Sequence, residues 1–172
     1  MRPIRQLPAL FACMLVSGAV LSATGCSRSA GEAAGAVQAK TAIHPVSGLP
    51  VIPLVVRASG KAHGFEVEVA RSEAEQAKGL MFRTEMGADE GMIFPRKAPA
   101  PAAFWMRNTV IPLDLLFIGP DRRILNIAAN ARPYDETPLP SAGPVIAVLE
   151  LNGGRAAQLG IAPGDEVSWK AP

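Results

Sequence analysis

The sequence predicts a mainly β domain with some α content, a small antiparallel or mixed barrel-like sheet carrying two short helices. Three observations lead there. From Leu49 onward, about 120 residues hold six to eight short apolar runs rich in β-branched side chains. Gly, Pro and Asp turns separate those runs. Only two stretches switch to a helical period, and both are too short to serve as crossovers between every pair of strands, which argues against a doubly wound sheet.

Each element follows from its own residues. "VIPLVVRA" (51–58) is β-branched, with Pro53 near its start or on an edge. After the turn "SGKAHG", "FEVEVA" (65–70) alternates, with Phe65, Val67 and Val69 inward and Glu66 and Glu68 outward, so the two runs form a hairpin. Ser72 and Glu75 then make an S-x-x-E capping box. It starts a helix from about Glu73 to Lys78, with acids in its first turn, a lysine at its end and Gly79 as a stop. "LMFRTEM" and "GADEG" lead to a strand at "MIFP", and "RKAPAPAA" (96–103) is an exposed loop. "FWMRNTV" and "LDLLFIG" are strands around Pro112, and "ILNIAANA" returns after the turn "PDRR". "RPYDETPLPSAG" (132–143), with three prolines, is a long irregular loop. "PVIAVLELN" is a strand, "GGRAAQLG" a short helix ended by Gly160, and "DEVSWK" the last strand. Gly79, Gly91, Gly153 and Gly164 serve backbone geometry. "GGRAAQLG" lacks the GK[ST] end of a phosphate loop.

The first 26 residues lie apart from this domain. "MRPIRQ" is basic, "LPALFACMLVSGAVL" is apolar and too short to span a bilayer, and "SATGC" ends in Cys26 after small residues. That order resembles a lipoprotein signal, with Ala23 where Leu is commonest, and cleavage just after Ala23 is the plain alternative. Export is expected, to the periplasm of a bacterial envelope, with membrane attachment through a lipid on Cys26. Residues 27–48, rich in Ala, Gly and Ser, are expected to tether the domain at 49–172. Cys13 falls in the leader, so the domain has no disulfide, thiol nucleophile or thiolate metal site. Arg2 and Arg5 leave with the leader, and 17 bases less these two match the 15 acids, all of which follow Cys26. A neutral domain gives no electrostatic case for nucleic acid.

One run gathers unusual chemistry. "FWMRNTVIPLD" (104–114) sets Trp105, Met106, Arg107 and Asn108 beside a lone acid, Asp114. A bent strand here would place Trp105 and Met106 against the core. Arg107, Asn108 and Asp114 would then surround one concave polar site suited to a small envelope-derived ligand, a sugar or a carboxylate. The plainer reading makes Trp105 a core residue. Asp114 and Glu150, each flanked by apolar residues, are candidate catalytic carboxylates. Against that, Asp114 could hold Arg107, Asn108 or backbone N–H groups, and Glu150 could pair with an arginine such as Arg83. A Ser-His-Asp centre is disfavoured, since His63 sits in a turn and His44 in the tether. Met81, Met86, Met92 and Met106 each adjoin Phe, Leu or Trp and are assigned to packing instead of a metal. No cofactor and no metal are expected.

"GLMFR" (79–83), "GMIF" (91–94), "FWMRNTVIPLDLLFI" (104–118), "VLELNGG" (148–154) and "LGIAPGDEV" (159–167) resemble, in order, the blocks of the DUF192 (UPF0127) family. The likeness runs from about Val51 to Trp169. It implies a small, often exported, mainly β protein of bacteria and archaea whose activity is not established. Arg107 stands where that family often has lysine, which keeps the charge. The function expected is that of an exported, lipid-anchored ligand-binding or envelope-accessory domain, not of an enzyme. The alternatives are a carboxylate enzyme acting on an envelope polymer and a structural partner-binding domain.

Overall fold

A computed structural model of the chain describes residues 42–170. The leader, Cys26 and most of the expected tether lie outside the described residues. The described residues form ten strands and two helices: β1 (Ala42–Ile43), β2 (Pro50–Ala58), β3 (Lys61–Val69), α1 (Glu73–Lys78), β4 (Glu90–Ala100), β5 (Ala103–Phe104), β6 (Leu113–Ile118), β7 (Ile124–Ala131), β8 (Leu139–Pro140), β9 (Val145–Asn152), α2 (Arg155–Leu159) and β10 (Glu166–Trp169). Eight strands form one mixed sheet in the order β1-β2-β3-β4-β9-β6-β7, with β10 also on β2, while β5 and β8 make a separate ribbon. All pairs are antiparallel except β3 with β4, whose crossover carries α1. The sheet is mainly β and curled, as expected. Its edges approach at one bridge, Arg123 to Glu166, where the Val167 N–H donates to the Arg122 carbonyl at 2.8 Å, so it is barrel-like without being a closed barrel.

Both faces of the sheet are buried. Leu54, Val56, Phe65, Val67, Leu149 and Leu151 belong to the cluster on one face. Met92, Phe94, Leu115, Phe117 and Val148 point the other way, beneath Leu80 and Met106. This explains why "LDLLFI" is an unbroken apolar run: every residue of β6 is buried, as in a strand covered on two sides.

The capping box at Ser72 and Glu75 forms as the sequence predicts. Gly153 is required by packing: a Cβ there would lie 2.8 Å from the Pro112 Cβ and 2.6 Å from the Asn130 Oδ1. Four expectations need correction. Residues 96–100 do not form a loop but continue β4 past a register shift. "FWMRNTV" is not a strand: after Phe104 the chain turns, with Asn108 in a left-handed conformation and the Thr109 N–H donating back to the Met106 carbonyl at 3.1 Å. Residues 42–48 are not free tether, since β1 pairs with β2 and His44 accepts back onto its own turn. Glu68 does not face solvent, because the segment after α1 lies across it.

Candidate functional site

The Trp105 loop is the first part of the site. Three chain segments are sewn together here by backbone hydrogen bonds: Phe82 N–H to the Asn108 carbonyl (2.9 Å), Tyr134 N–H to the Thr109 carbonyl (3.2 Å), and Met106 N–H to the Asp135 carbonyl (2.7 Å). Met106 is the buried anchor, and Phe104 packs edge-on between Phe94 and Phe117. Trp105 is therefore left 48% exposed, and Phe82 and Tyr134 are exposed too. The Arg107 guanidinium lies 4.7 Å from the Trp105 ring centre and donates to Glu136 at 2.7 Å. That hydrogen bond raises the arginine pKa and lowers that of Glu136. Phe82, Asn108 and Tyr134 all have left-handed backbones, with φ of 63°, 54° and 62°. For bulky side chains that conformation costs about 1–3 kcal/mol each and persists only where the surroundings enforce it. Asn108 also directs its Nδ2 at the Met81 sulfur, 3.9 Å away.

Asp114 is elsewhere. Its carboxylate is fully buried and accepts three backbone N–H groups: Asn130 (2.7 Å) and Gly154 (2.9 Å) on Oδ1, and Ala156 (2.8 Å) on Oδ2. It ties β6 to β7 and to the start of α2, and so satisfies otherwise orphaned donors. Of the three residues expected to surround one concave polar site, Arg107 and Asn108 are together and Asp114 is not, and Trp105, expected against the core beside Met106, stands half exposed next to Arg107.

Register separates the two acids proposed as a catalytic pair. Glu150 lies opposite Leu115, whereas Asp114 lies opposite Leu151. Positions offset by one point to opposite faces of a sheet, so no single cleft holds both carboxyls. Glu150 faces the Met92 side, 5% exposed, and has no hydrogen-bond partner among the described residues. Desolvation pushes its pKa up to about 8. Arg83 does not pair with it.

Arg83 pairs with Glu68 instead, its Nη2 reaching Oε1 at 2.9 Å and Oε2 at 3.1 Å. His44 Nδ1 accepts the N–H groups of Val46 and Ser47, which leaves the proton on Nε2, 3.6 Å from the same carboxylate. Sequence reasoning missed this group. The alternation of "FEVEV" sends Glu68 outward, and nothing local reveals that residues 79–87 cover that face. Beside the group opens a cleft of about 710 Å³, lined by His44 and Leu49, by Lys78 on α1, and by Met81, Phe82, Arg83 and Met86. Trp105 and Arg107 do not line it. His63 also departs from the solvated turn residue expected: it lies on β3, half-buried, with an unpartnered Nε2. Met92 and Met106 are buried in packing, and no metal-binding group of His, Cys, Asp or Glu occurs among the described residues. None of the described helices is long and apolar enough to cross a membrane.

Comparison with known proteins decides the family. The DUF192 model, "Uncharacterized ACR", matches residues 54–169. The chain belongs to the DUF192 family. Two solved structures extend the match. A protein of unknown function from Novosphingobium aromaticivorans DSM 12444 is 65% identical, with a TM-score of 0.74, covering 77% of this chain and 94% of its own. A protein from Sinorhizobium meliloti 1021, described as a "putative transcription regulator", is 38% identical with a TM-score of 0.69, covering 70% and 95%. Comparison with curated proteins gave no match. The DUF192 blocks at 79–83 and 104–118 are the segments that meet at the Phe82–Asn108 hydrogen bond.

Proposed function

We propose that this DUF192 protein is an exported accessory domain of the cell envelope, held in the periplasm at a membrane by a lipid on Cys26, that recognises a protein partner through the surface around Trp105. One observation carries the reading: Trp105 stands half exposed beneath Arg107, on a loop whose neighbours Phe82, Asn108 and Tyr134 adopt costly backbone conformations. Exposed aromatics gathered on one surface mark a place that something else meets, and Trp, Tyr and Arg are the residues that dominate protein interfaces. The Arg107–Glu136 pair fixes the guanidinium in advance, which lowers the entropy lost on contact.

Isolation of the full-length protein from its own envelope tests the reading. A co-purifying protein that is lost in both Trp105→Ala and Arg107→Ala is expected; unchanged recovery in the variants, or no partner at all, removes the proposal. Anchoring has its own test. Cys26→Ala should move the protein from the membrane to the soluble periplasmic fraction, and retention in the membrane would refute the lipid anchor.

A further inference from the structure

The cleft beside α1 shares Phe82 with the Trp105 surface, but Trp105 and Arg107 do not line it, and it carries chemistry of its own. Arg83 forms part of its wall with a side chain only 10% exposed, and Nη2 alone serves Glu68. Its Nε and Nη1 have no partner among the described residues, so a side chain nine-tenths buried keeps N–H donors to spare on the border of an open cleft. Such donors select an oxyanion. Leu49, Met81 and Met86 supply an apolar wall, and methionine adapts to side chains of different shape. Glu75, Glu85 and Glu90 lie farther round the same cleft. Glu75 is held by the capping box and Glu90 by the Gly87 N–H, whereas Glu85 has no partner among the described residues. Three lining carboxylates face two lining cations, Arg83 and Lys78, and Arg83 is already paired with the buried Glu68, so the cleft is acidic on balance. The volume lies within the range of small-ligand sites, roughly 300–1,000 Å³.

One class of ligand answers all three features. We infer that the cleft binds the free C-terminal end of a polypeptide, its carboxylate on Arg83, an apolar last side chain against Met81 and Met86, and a basic residue upstream facing the acids. A lone carboxylate is opposed by the net charge, and a lone amine leaves the Arg83 donors unused. A chain end with a basic upstream residue satisfies both, and main-chain carboxylate capture is an established recognition mode. The inference does not depend on the Trp105 surface.

The test is fluorescence polarisation with full-length protein in detergent micelles and the N-terminally labelled tripeptide Lys-Ala-Leu. Its C-terminal amide should bind at least about tenfold more weakly, and Glu-Ala-Leu several-fold more weakly. Glu68→Gln/Arg83→Gln exchanges the buried ion pair for an amide pair and should abolish the preference for the free acid. Met86→Glu should weaken every peptide ending in Leu, and circular dichroism checks that both variants are folded. Trp105→Ala should bind Lys-Ala-Leu like the unaltered protein, so failure here and failure of the partner proposal are read separately. Equal affinity for acid and amide, or no binding of Lys-Ala-Leu up to about 1 mM, overturns the inference.

Discussion

The Asp114 carboxylate accepts the Ala156 backbone N–H at 2.8 Å while its other oxygen takes the N–H groups of Asn130 and Gly154. An acid that the sequence offers as a reactive group is therefore fully engaged in holding two strands and a helix start together. Asp114→Asn keeps the size but puts an amide N–H against backbone donors in a buried place. It should lower unfolding free energy by about 3 kcal/mol with an unchanged denaturant slope, measured by urea titration. A loss below about 0.5 kcal/mol would mean that those three bonds contribute little.

Glu150 makes stability depend on pH in a defined sense. Its carboxyl titrates at about 8 in the folded protein against 4.5 in a free glutamate. Between those values the folded state holds the extra proton, so stability is full below about pH 4.5 and falls as pH rises toward 8. The whole loss amounts to at most about 5 kcal/mol. Glu150→Gln should flatten that part of the pH profile, leaving the variant more stable than the original protein at pH 8 and close to it at pH 5. Thermal unfolding across this range checks it, and parallel profiles for the two proteins would contradict the buried neutral acid.

Gly153→Ala should also destabilise, because the added methyl must displace Pro112 and the Asn130 side chain together. A cost of about 1–3 kcal/mol is expected for such overpacking. By contrast, Gly154→Ala meets open space and costs only its left-handed φ of 84°.

The surface around Trp105 should behave in the opposite way. Trp105→Ala and Arg107→Ala remove half-exposed side chains and should lower unfolding free energy by no more than about 1.5 kcal/mol in chemical denaturation. A larger loss would make the Trp105–Arg107 stack a structural element instead of a recognition surface.

Much of the fold was legible because local chemistry and tertiary packing agree. The Ser72–Glu75 cap, the alternation of Phe65, Val67 and Val69 and the apolar run of β6 each carry their own signal. The site was only partly legible. Crowding of Trp105, Arg107 and Asn108 is visible within the single run 104–114, but Phe82 and Tyr134 join them only through long-range backbone bonds. The separation of Asp114 from Glu150 depends on a strand register between β6 and β9, which no single strand encodes. Glu68 pairs with Arg83, 15 residues on, for the same reason: the covering segment, not the alternation, decides its surroundings.

In-cell photocrosslinking addresses the recognition surface most directly. Benzoylphenylalanine at Phe82 or Tyr134 in the full-length protein should give one shared protein adduct, lost when Trp105→Ala is added and absent from Lys61 on the far hairpin. Equal adducts from Lys61, or adducts that persist without Trp105, would contradict a partner-binding role for this surface.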